Sequence, residues 1–433
     1  MSLRLEQIRN PRIRESVFVG AGNRPVPVYV HPKPEAHHAH ALLAVEYGAI
    51  DGLSTGFTPG VAHFLEHRLF EKREGDISAR FSALGADVDA QTGLTQTSFS
   101  VTCADGLAAC VELLIRLALE LHLSDEGVER ERRIILREIE LFADNVESVC
   151  FANALRALYP DHPISTDIAG TPASLGEIDR PLLRASHEHY YSAGRISLFA
   201  SGKVAPEELC EVVDAHTSSL CRCPAGNLPR RRAPVPAPHR ISSRLAVVRP
   251  RVSMAFHDSE SGLEGIELLK KEICLDMAAD ILFGPSSEFF AEQYEAGEID
   301  GDGFGWEIYA EPAFLFAVMG GDVSNSGRFE ESVLKRLSRG VREGIASADF
   351  ERAARKAYGT LLFRYEDIES CAAMAHGEVS RGARPFDSAA ALEQVRRQDV
   401  EHCLRTCFTS ENCAVSVVEP LPRSSTGPGV PVT

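Results

Sequence analysis

The feature that most constrains this fold is a central stretch that can join neither a helix nor a sheet. Between Cys223 and Arg240 the chain reads Pro-Ala-Gly-Asn-Leu-Pro-Arg-Arg-Arg-Ala-Pro-Val-Pro-Ala-Pro-His. Each proline removes a backbone donor and is excluded from helix interiors, so residues 223–243 read as an interdomain linker. The flanking parts, 1–222 and 244–433, carry the same order of predicted elements, the mark of a duplicated unit. At 433 residues the chain exceeds what one core usually holds, and each half can bury its own interior.

In the first half, 16–20 and 26–31 read as a strand pair turning at Gly22-Asn23, followed by a strand over 39–47. A helical run passes through His63, a short helix fits 77–84 and a β-hairpin fits 87–102. Helices over 105–121 and 124–144 and a strand at 196–201 complete it. The second half predicts a strand over 244–256, helices at 264–282 and 286–296, and strands at 304–310 and 313–319. Helices at 328–344, 347–359 and 367–382 and a strand at 414–418 close the chain. The fold class is therefore α+β, with two structurally similar halves, each a mostly antiparallel sheet with packed helices.

Charge narrows the partners. The formal net charge of −17 repels phosphate backbones and anionic lipid, and Arg230-Arg231-Arg232 is the lone basic run, so neither nucleic acid nor a membrane is expected. The first residues show no basic-then-apolar leader, and no stretch approaches the ~18 apolar residues of a span; a cytoplasmic location is expected. Eleven cysteines is an odd count, scattered through apolar segments, which reads as reduced core thiols. Cys221-x-Cys223 lacks a second pair at zinc-ribbon spacing and reads as part of the linker.

The chemistry concentrates in Val61-Ala62-His63-Phe64-Leu65-Glu66-His67-Arg68-Leu69-Phe70. Its His-x-x-Glu-His pattern is the spacing of inverted zincins. At ~100° per residue, His63, His67 and Glu66 fall within one arc of a helix whose flanks are apolar. Burying two imidazoles and a carboxylate without partners would cost about 2–7 kcal/mol for each unsatisfied group, and a bound cation offsets that. Two neutral imidazoles one turn apart can fill two corners of a zinc tetrahedron.

The same test locates a carboxylate elsewhere. Along 129–142, Ile134, Ile135, Ile139, Leu141 and Phe142 form one stripe at ~100° per residue, with Glu131 and Glu138 in its middle. Glu140 faces the opposite way, toward solvent. Glu is seldom buried unless paired or bound to a cation, so Glu131 and Glu138 are the candidates for a third ligand, with buried arginine ion pairs as the alternative. Glu66, adjacent to the ion, suits the base that takes a proton from a metal-activated water. The reverse assignment, Glu66 as ligand and Glu138 as base, places the base less well.

Other segments align with these: Gly85-Ala86-Asp87-Val88-Asp89-Ala90-Gln91-Thr92, His162-Pro163, Gly170-Thr171 and Tyr190-Tyr191. Together with Gly60-Val61-Ala62-His63-Phe64-Leu65-Glu66-His67 and the Glu131/Glu138 pair, they make the chain resemble the pitrilysin, insulin-degrading enzyme and mitochondrial processing peptidase family, short bacterial type, over almost its whole length. The resemblance implies two halves closing as a clamshell over an unfolded peptide. It implies one zinc per chain, held in the first half by His63, His67 and Glu138 and supported by Glu131. The strand at Ala90, Gln91 and Thr92 matches the edge to which substrate adds as a strand. The second half has no His-x-x-Glu-His at the equivalent Leu282–Phe289 stretch, so it is metal-free.

Relatives also carry a late Arg and Tyr that hold the substrate carbonyl. Here Arg364-Tyr365 are adjacent, and His376 stands where the aromatic residue is expected. That gap implies the zinc-bearing subunit of a heterodimer with a metal-free relative, a homodimer being the less expected arrangement. The expected activity is a zinc metallo-endopeptidase that processes leader peptides or clears small ones; the alternative is a catalytically silent scaffold or peptide-binding subunit. His37-His38-x-His40 and His187-x-His189 read as solvent-exposed residues, and Gly301-x-Gly303-x-Gly305 as a flexible turn.

Overall fold

The computed structural model describes residues 4–10, 15–21, 25–160, 162–218, 220, 239–260, 262–301 and 303–422. It opens with strands β1 (Arg4–Asn10), β2 (Glu15–Ala21), β3 (Val28–Pro32) and β4 (Ala39–Val45). Helices α1 (Asp51–Thr55) and α2 (Val61–Leu69) follow, then the small ribbon β5 (Glu71–Lys72) and β6 (Gly75–Asp76) and helix α3 (Ser78–Ala83). The hairpin β7 (Ala86–Thr92) and β8 (Thr97–Cys103) leads into α4 (Leu107–Leu119), α5 (Asp125–Asp144) and α6 (Val146–Leu158). Helices α7 (Pro172–Glu177) and α8 (Arg180–Tyr190), strand β9 (Ile196–Gly202) and α9 (Pro206–Thr217) complete the first half.

The second half runs β10 (Arg240–Leu245), β11 (Arg251–His257), α10 (Gly265–Phe283), α11 (Glu288–Glu295), β12 (Gly305–Glu311) and β13 (Phe314–Asp322). It ends with α12 (Ser326–Glu343), α13 (Ser347–Glu366), α14 (Ile368–Ser380), α15 (Asp387–Gln394), α16 (Arg397–Thr406) and β14 (Cys413–Pro420). Most of the expected linker, residues 223–238, lies outside the described residues together with Cys221. Its last four residues, 240–243, belong to β10 instead. The single strand expected over 244–256 is two strands, β10 and β11, in different places of the sheet. The turn expected at Gly22-Asn23 also lies outside the described residues, but the strands flanking it pair antiparallel, Phe18 opposite Val30.

Hydrogen bonding carries the duplication further than pattern could. The first sheet contains β3-β9-β4-β8-β7 and the second is β10-β14-β11-β13-β12. Counted within each half, both follow the order one, five, two, four, three. The first and fifth strands are parallel, and all other neighbours are antiparallel. The first sheet adds the β1–β2 hairpin beyond β3. The helices repeat too: α5 and α13 each have 20 residues, and α6 and α14 each have 13.

The two halves meet across a cleft and also exchange helices. Helix α6 packs on β11 and β14 of the second sheet, and α14 packs on β4 and β9 of the first. Leu158 and Tyr159 thereby join a core with Phe314 and Phe316, and the Tyr159 hydroxyl is hydrogen-bonded with His257 Nδ1 at 2.7 Å. In return Ala372 and Ala375 pack with Ala44 and Phe199. Each large apolar side chain buried this way contributes about 1.5–3 kcal/mol, so separating the halves would expose parts of both interiors. Helix α6 escaped sequence prediction because its apolar residues lie nearly all round, leaving no periodic stripe. Helices α8, α9, α15 and α16 were likewise not anticipated. Among the described residues, no helix is long and apolar enough to cross a membrane.

Candidate metal centre

The site begins with two glycines in backbone contact. Gly60, at φ +90° ahead of α2, and Gly170, at φ +81°, leave no room for side chains. A Cβ on Gly60 would lie 2.6 Å from the Ala169 carbonyl oxygen, and one on Gly170 would lie 2.7 Å from that of Pro59. This contact anchors the start of α2. Val61, Ala62, Phe64, Leu65 and Leu69 bury one side of the helix, leaving His63, Glu66 and His67 on the side toward α5 and β7.

Helix α5 is started by the Ser124 side chain, which accepts from Gly127 N–H. It brings Glu138 to both imidazoles: Glu138 Oε2 is 3.1 Å from His63 Nε2 and 3.7 Å from His67 Nε2. One ligand atom from each of the three residues lies within 4.8 Å of the others. Tetrahedral zinc, with bonds of about 2.0–2.2 Å, needs ligand atoms about 3.3 Å apart. The 3.1 and 3.7 Å separations from Glu138 bracket that spacing, and two imidazole nitrogens with a carboxylate oxygen are a catalytic-type zinc set, so the residues present fit the ion.

Glu131, one heptad earlier on α5, does something different. Its Oε1 is 3.0 Å from His67 Nδ1, and its Oε2 accepts from Arg68 Nη1 at 3.3 Å. A proton held at Nδ1 leaves the His67 Nε2 lone pair pointing at the centre. Arg68 is wholly buried and also donates to Glu71 at 2.7 Å, a carboxylate that Arg130 reaches from α5. Gly127 makes the space, since a Cβ there would lie 2.7 Å from Arg68 Nη2. An arginine on the buried side of an apolar helix was a signal available in the sequence and not used.

The electrostatics follow from these contacts. Burial by itself would lower the His63 pKa, but hydrogen bonds to Glu138 and Glu66 outweigh it and raise it to about 9. The hydrogen bond from His63 in turn holds Glu138 below the usual carboxylate range. Burial pushes Glu131 up, yet His67 and Arg68 pull it below that range. Carboxylates gathered here hold a proton on an imidazole as their counter-charge, a place a divalent cation would take.

Glu66 Oε2 lies 3.7 Å from His63 Nδ1 and accepts a hydrogen bond from the Thr92 hydroxyl. Thr92 thus turns its side chain inward to hold Glu66, a contact that strand alternation did not reveal. Ala90 and Gln91 remain more open on β7, which is the outer strand of its sheet. His63, Glu66, His67 and Glu138 face a cleft of about 780 Å³ whose far wall includes Tyr309 and Phe314 from the second half.

Several expectations need correction. The α5 stripe is not buried as a whole: Ile135 is, but Ile134, Leu141 and Phe142 are exposed, at 44%, 71% and 43%. The helix overhangs the cleft beyond Glu138, and Phe142 lines that cleft. Periodicity reports an apolar arc, not what covers it. Glu140 is exposed as expected. His37 and His38 are exposed, but His40 is buried and bonded to Thr102 at 2.9 Å, and His187 is buried against the Ala118 carbonyl. Tyr365 is buried beside Phe386, Arg364 lines a different cavity, and His376 packs on Phe199, so none of the three reaches the centre.

A helix bearing two histidines and an acid, completed by a carboxylate from a second helix beside a sheet edge, defines the architecture of an inverted-zincin peptidase. Family profiles agree: that of Insulinase (Peptidase family M16) matches residues 28–172, and that of the Peptidase M16 inactive domain matches 177–357. The chain is 28% identical to the uncharacterized zinc protease YmfH of Bacillus subtilis, over 96% of this chain and 99% of that one. It is 30% identical to the mitochondrial-processing peptidase subunit beta of Neurospora crassa over 38% of this chain and 36% of that protein. A solved M16-like protein from Alicyclobacillus acidocaldarius superposes with a TM-score of 0.88 at 26% identity, covering 97% of this chain and all of the other. The chain belongs to the insulinase family, peptidase family M16.

Proposed function

We propose that this chain is a zinc metallo-endopeptidase acting on unfolded peptides, with His63, His67 and Glu138 as ligands and Glu66 as general base. The observation that carries the proposal is the meeting of Glu138 Oε2 with both Nε2 atoms, 3.1 and 3.7 Å away, beside Glu66, which Thr92 holds. Bound zinc supplies Lewis acidity toward a carbonyl oxygen and lowers the pKa of water near it. The protein's own residues do the rest. Glu131 fixes the His67 tautomer, Thr92 aims Glu66, and Glu66 takes the proton from the attacking water and returns it to the departing amine. The outer edge of β7 at Ala90 and Gln91 offers backbone groups on which an extended peptide can lie as an added strand.

The second half lines this cleft with Arg381 and Tyr309, whereas Arg364, Tyr365 and His376 lie elsewhere; the assembly proposed is a heterodimer with a metal-free relative. One similar protein is by its name a peptidase subunit. The described cysteines are buried and form no disulfide with one another, which suits a reducing cytoplasm. Metal analysis together with Glu66→Gln tests the reading. Near-stoichiometric zinc in both proteins, with cleavage reduced about 10²–10⁴-fold in the variant, supports the enzyme. Wild-type protein that holds no zinc after purification with its partner refutes it and leaves a scaffold.

A further inference from the structure

Helix α5 carries Glu138 to the metal centre and, one turn further along the same face, Phe142. Side chains four apart on a helix are neighbours, about 5–6 Å between Cβ atoms, so an aromatic ring flanks the ligand. Phe142 is exposed, yet it lines the cleft of about 780 Å³ that the ligands face. Helix α6 continues this wall: Ser148, Phe151, Ala152 and Leu155 line the cleft at helical spacings of three and four. From the second half Ile308 and Phe314 face them, and the Tyr309 ring lies 5.5 Å from that of Phe151.

Charged groups on the cleft away from the ligands are engaged with protein. Arg381 pairs with Glu272 at 2.7 Å and with Glu311 at 3.7 Å, and Asp167 accepts from Ala169 N–H at 2.9 Å. A charged substrate side chain entering here gives up water for a largely apolar wall, a cost that an apolar side chain does not meet.

The place of this wall along a peptide follows from β7. A second cavity, of about 630 Å³, shares Glu66, His67 and Ala90 with the cleft and extends along Asp89 and Val88, whereas the cleft extends along Gln91 and Thr92. Ala90 therefore marks the metal centre's place on the strand, with one cavity to either side. A peptide added antiparallel to β7, the more stable pairing, runs from the Thr92 end toward Val88 and lays the residues before the cleaved bond in the cleft. Resting on the peptidase reading above, we infer that Phe142 and Phe151 select peptides with a large apolar side chain, aromatic or branched aliphatic, one or two residues before that bond.

The test has a binding arm and a cleavage arm. Labelled decapeptides of Gly, Ser and Thr with one central Phe, Leu, Ala, Lys or Asp are titrated by fluorescence anisotropy into the Glu66→Gln full chain in zinc-containing buffer. The Phe and Leu peptides are expected to bind at least about tenfold tighter than the other three. Phe142→Ala and Phe151→Ala, added singly, are each expected to cut the Phe-to-Ala ratio at least about threefold with unchanged circular dichroism. Leu141→Ala, beside Phe142 but 71% exposed, is expected to keep the ratio. Cleavage sites of the wild type on a peptide library, mapped by mass spectrometry, are expected to show large apolar residues enriched at one of the two positions before the bond. Absence of any cleavage would count against the peptidase reading, while the binding ratios would still decide this inference. Equal binding of the five peptides, a ratio unmoved in both Phe variants, or enrichment after the bond instead of before it would overturn it.

Discussion

Replacing Glu131 by Gln separates a residue that orients a ligand from one that is a ligand. Glu131 is buried and lies 3.0 Å from His67 Nδ1 and 3.3 Å from Arg68 Nη1. The substitution keeps an oxygen within reach of Nδ1 but removes the negative charge that strengthens imidazole as a donor to metal. Loss of such a supporting carboxylate typically weakens metal binding 10–100-fold, or about 1.4–2.7 kcal/mol. Arg68 retains Glu71 at 2.7 Å, so the buried guanidinium is not left without a carboxylate and the fold should persist. Zinc affinity is measured by competition with a chromophoric chelator, beside Glu138→Gln as the comparison. The expected order is wild type tightest, Glu131→Gln intermediate and Glu138→Gln weakest. Equal affinity of wild type and Glu131→Gln would refute the orienting role, and a loss matching that of Glu138→Gln would make Glu131 a ligand.

Thr92→Val preserves shape but removes the donor to Glu66. A hydrogen bond to a charged group is worth about 1.5–3 kcal/mol, so kcat is expected to fall at least about tenfold with KM and zinc content unchanged; an unaltered kcat would show that Glu66 is aimed by something else. His63, raised from 6.5 to about 9 in the metal-free protein, stabilises the fold fully below pH 6.5 and loses that contribution as pH rises through 9. Thermal scans in chelator should therefore show Tm declining over that interval, while the zinc-loaded protein, whose imidazole is already deprotonated, does not follow; parallel curves would contradict the assignment. Gly60→Ala places a side chain at φ +90° and 2.6 Å from Ala169 O. Left-handed backbone alone costs about 1–2 kcal/mol, so a Tm drop of at least about 2 °C is expected, and an unchanged Tm would mean that the Gly60–Gly170 contact is not needed.

How much of this was legible before the structure depends on whether the relevant physics is local. Placing His63, Glu66 and His67 together requires only the helical period, as does putting Glu131 and Glu138 on one face of α5. The strand over β4 and the hairpin of β7 and β8 are equally local, being alternation broken by turn residues. Contacts between distant segments were not legible. Helical periodicity could not tell which of Glu131 and Glu138 meets the Nε2 atoms, because both point the same way; the family resemblance pointed to Glu138, and the packing of α5 across α2 brings its Oε2 to both imidazoles. Nor could it show that Phe142 lines a cleft, or that Thr92 turns toward Glu66.

The duplication divides along the same line. Prolines in the middle and a repeated order of elements mark two units from the amino acids alone, since both are properties of consecutive residues. The one-five-two-four-three order of each sheet and the exchange of α6 and α14 between halves are decided by the tertiary structure. Each depends on which apolar surfaces find one another once the chain has collapsed, and hydrophobic burial is non-directional: a sequence specifies how much surface must be covered, and the folded geometry selects what covers it.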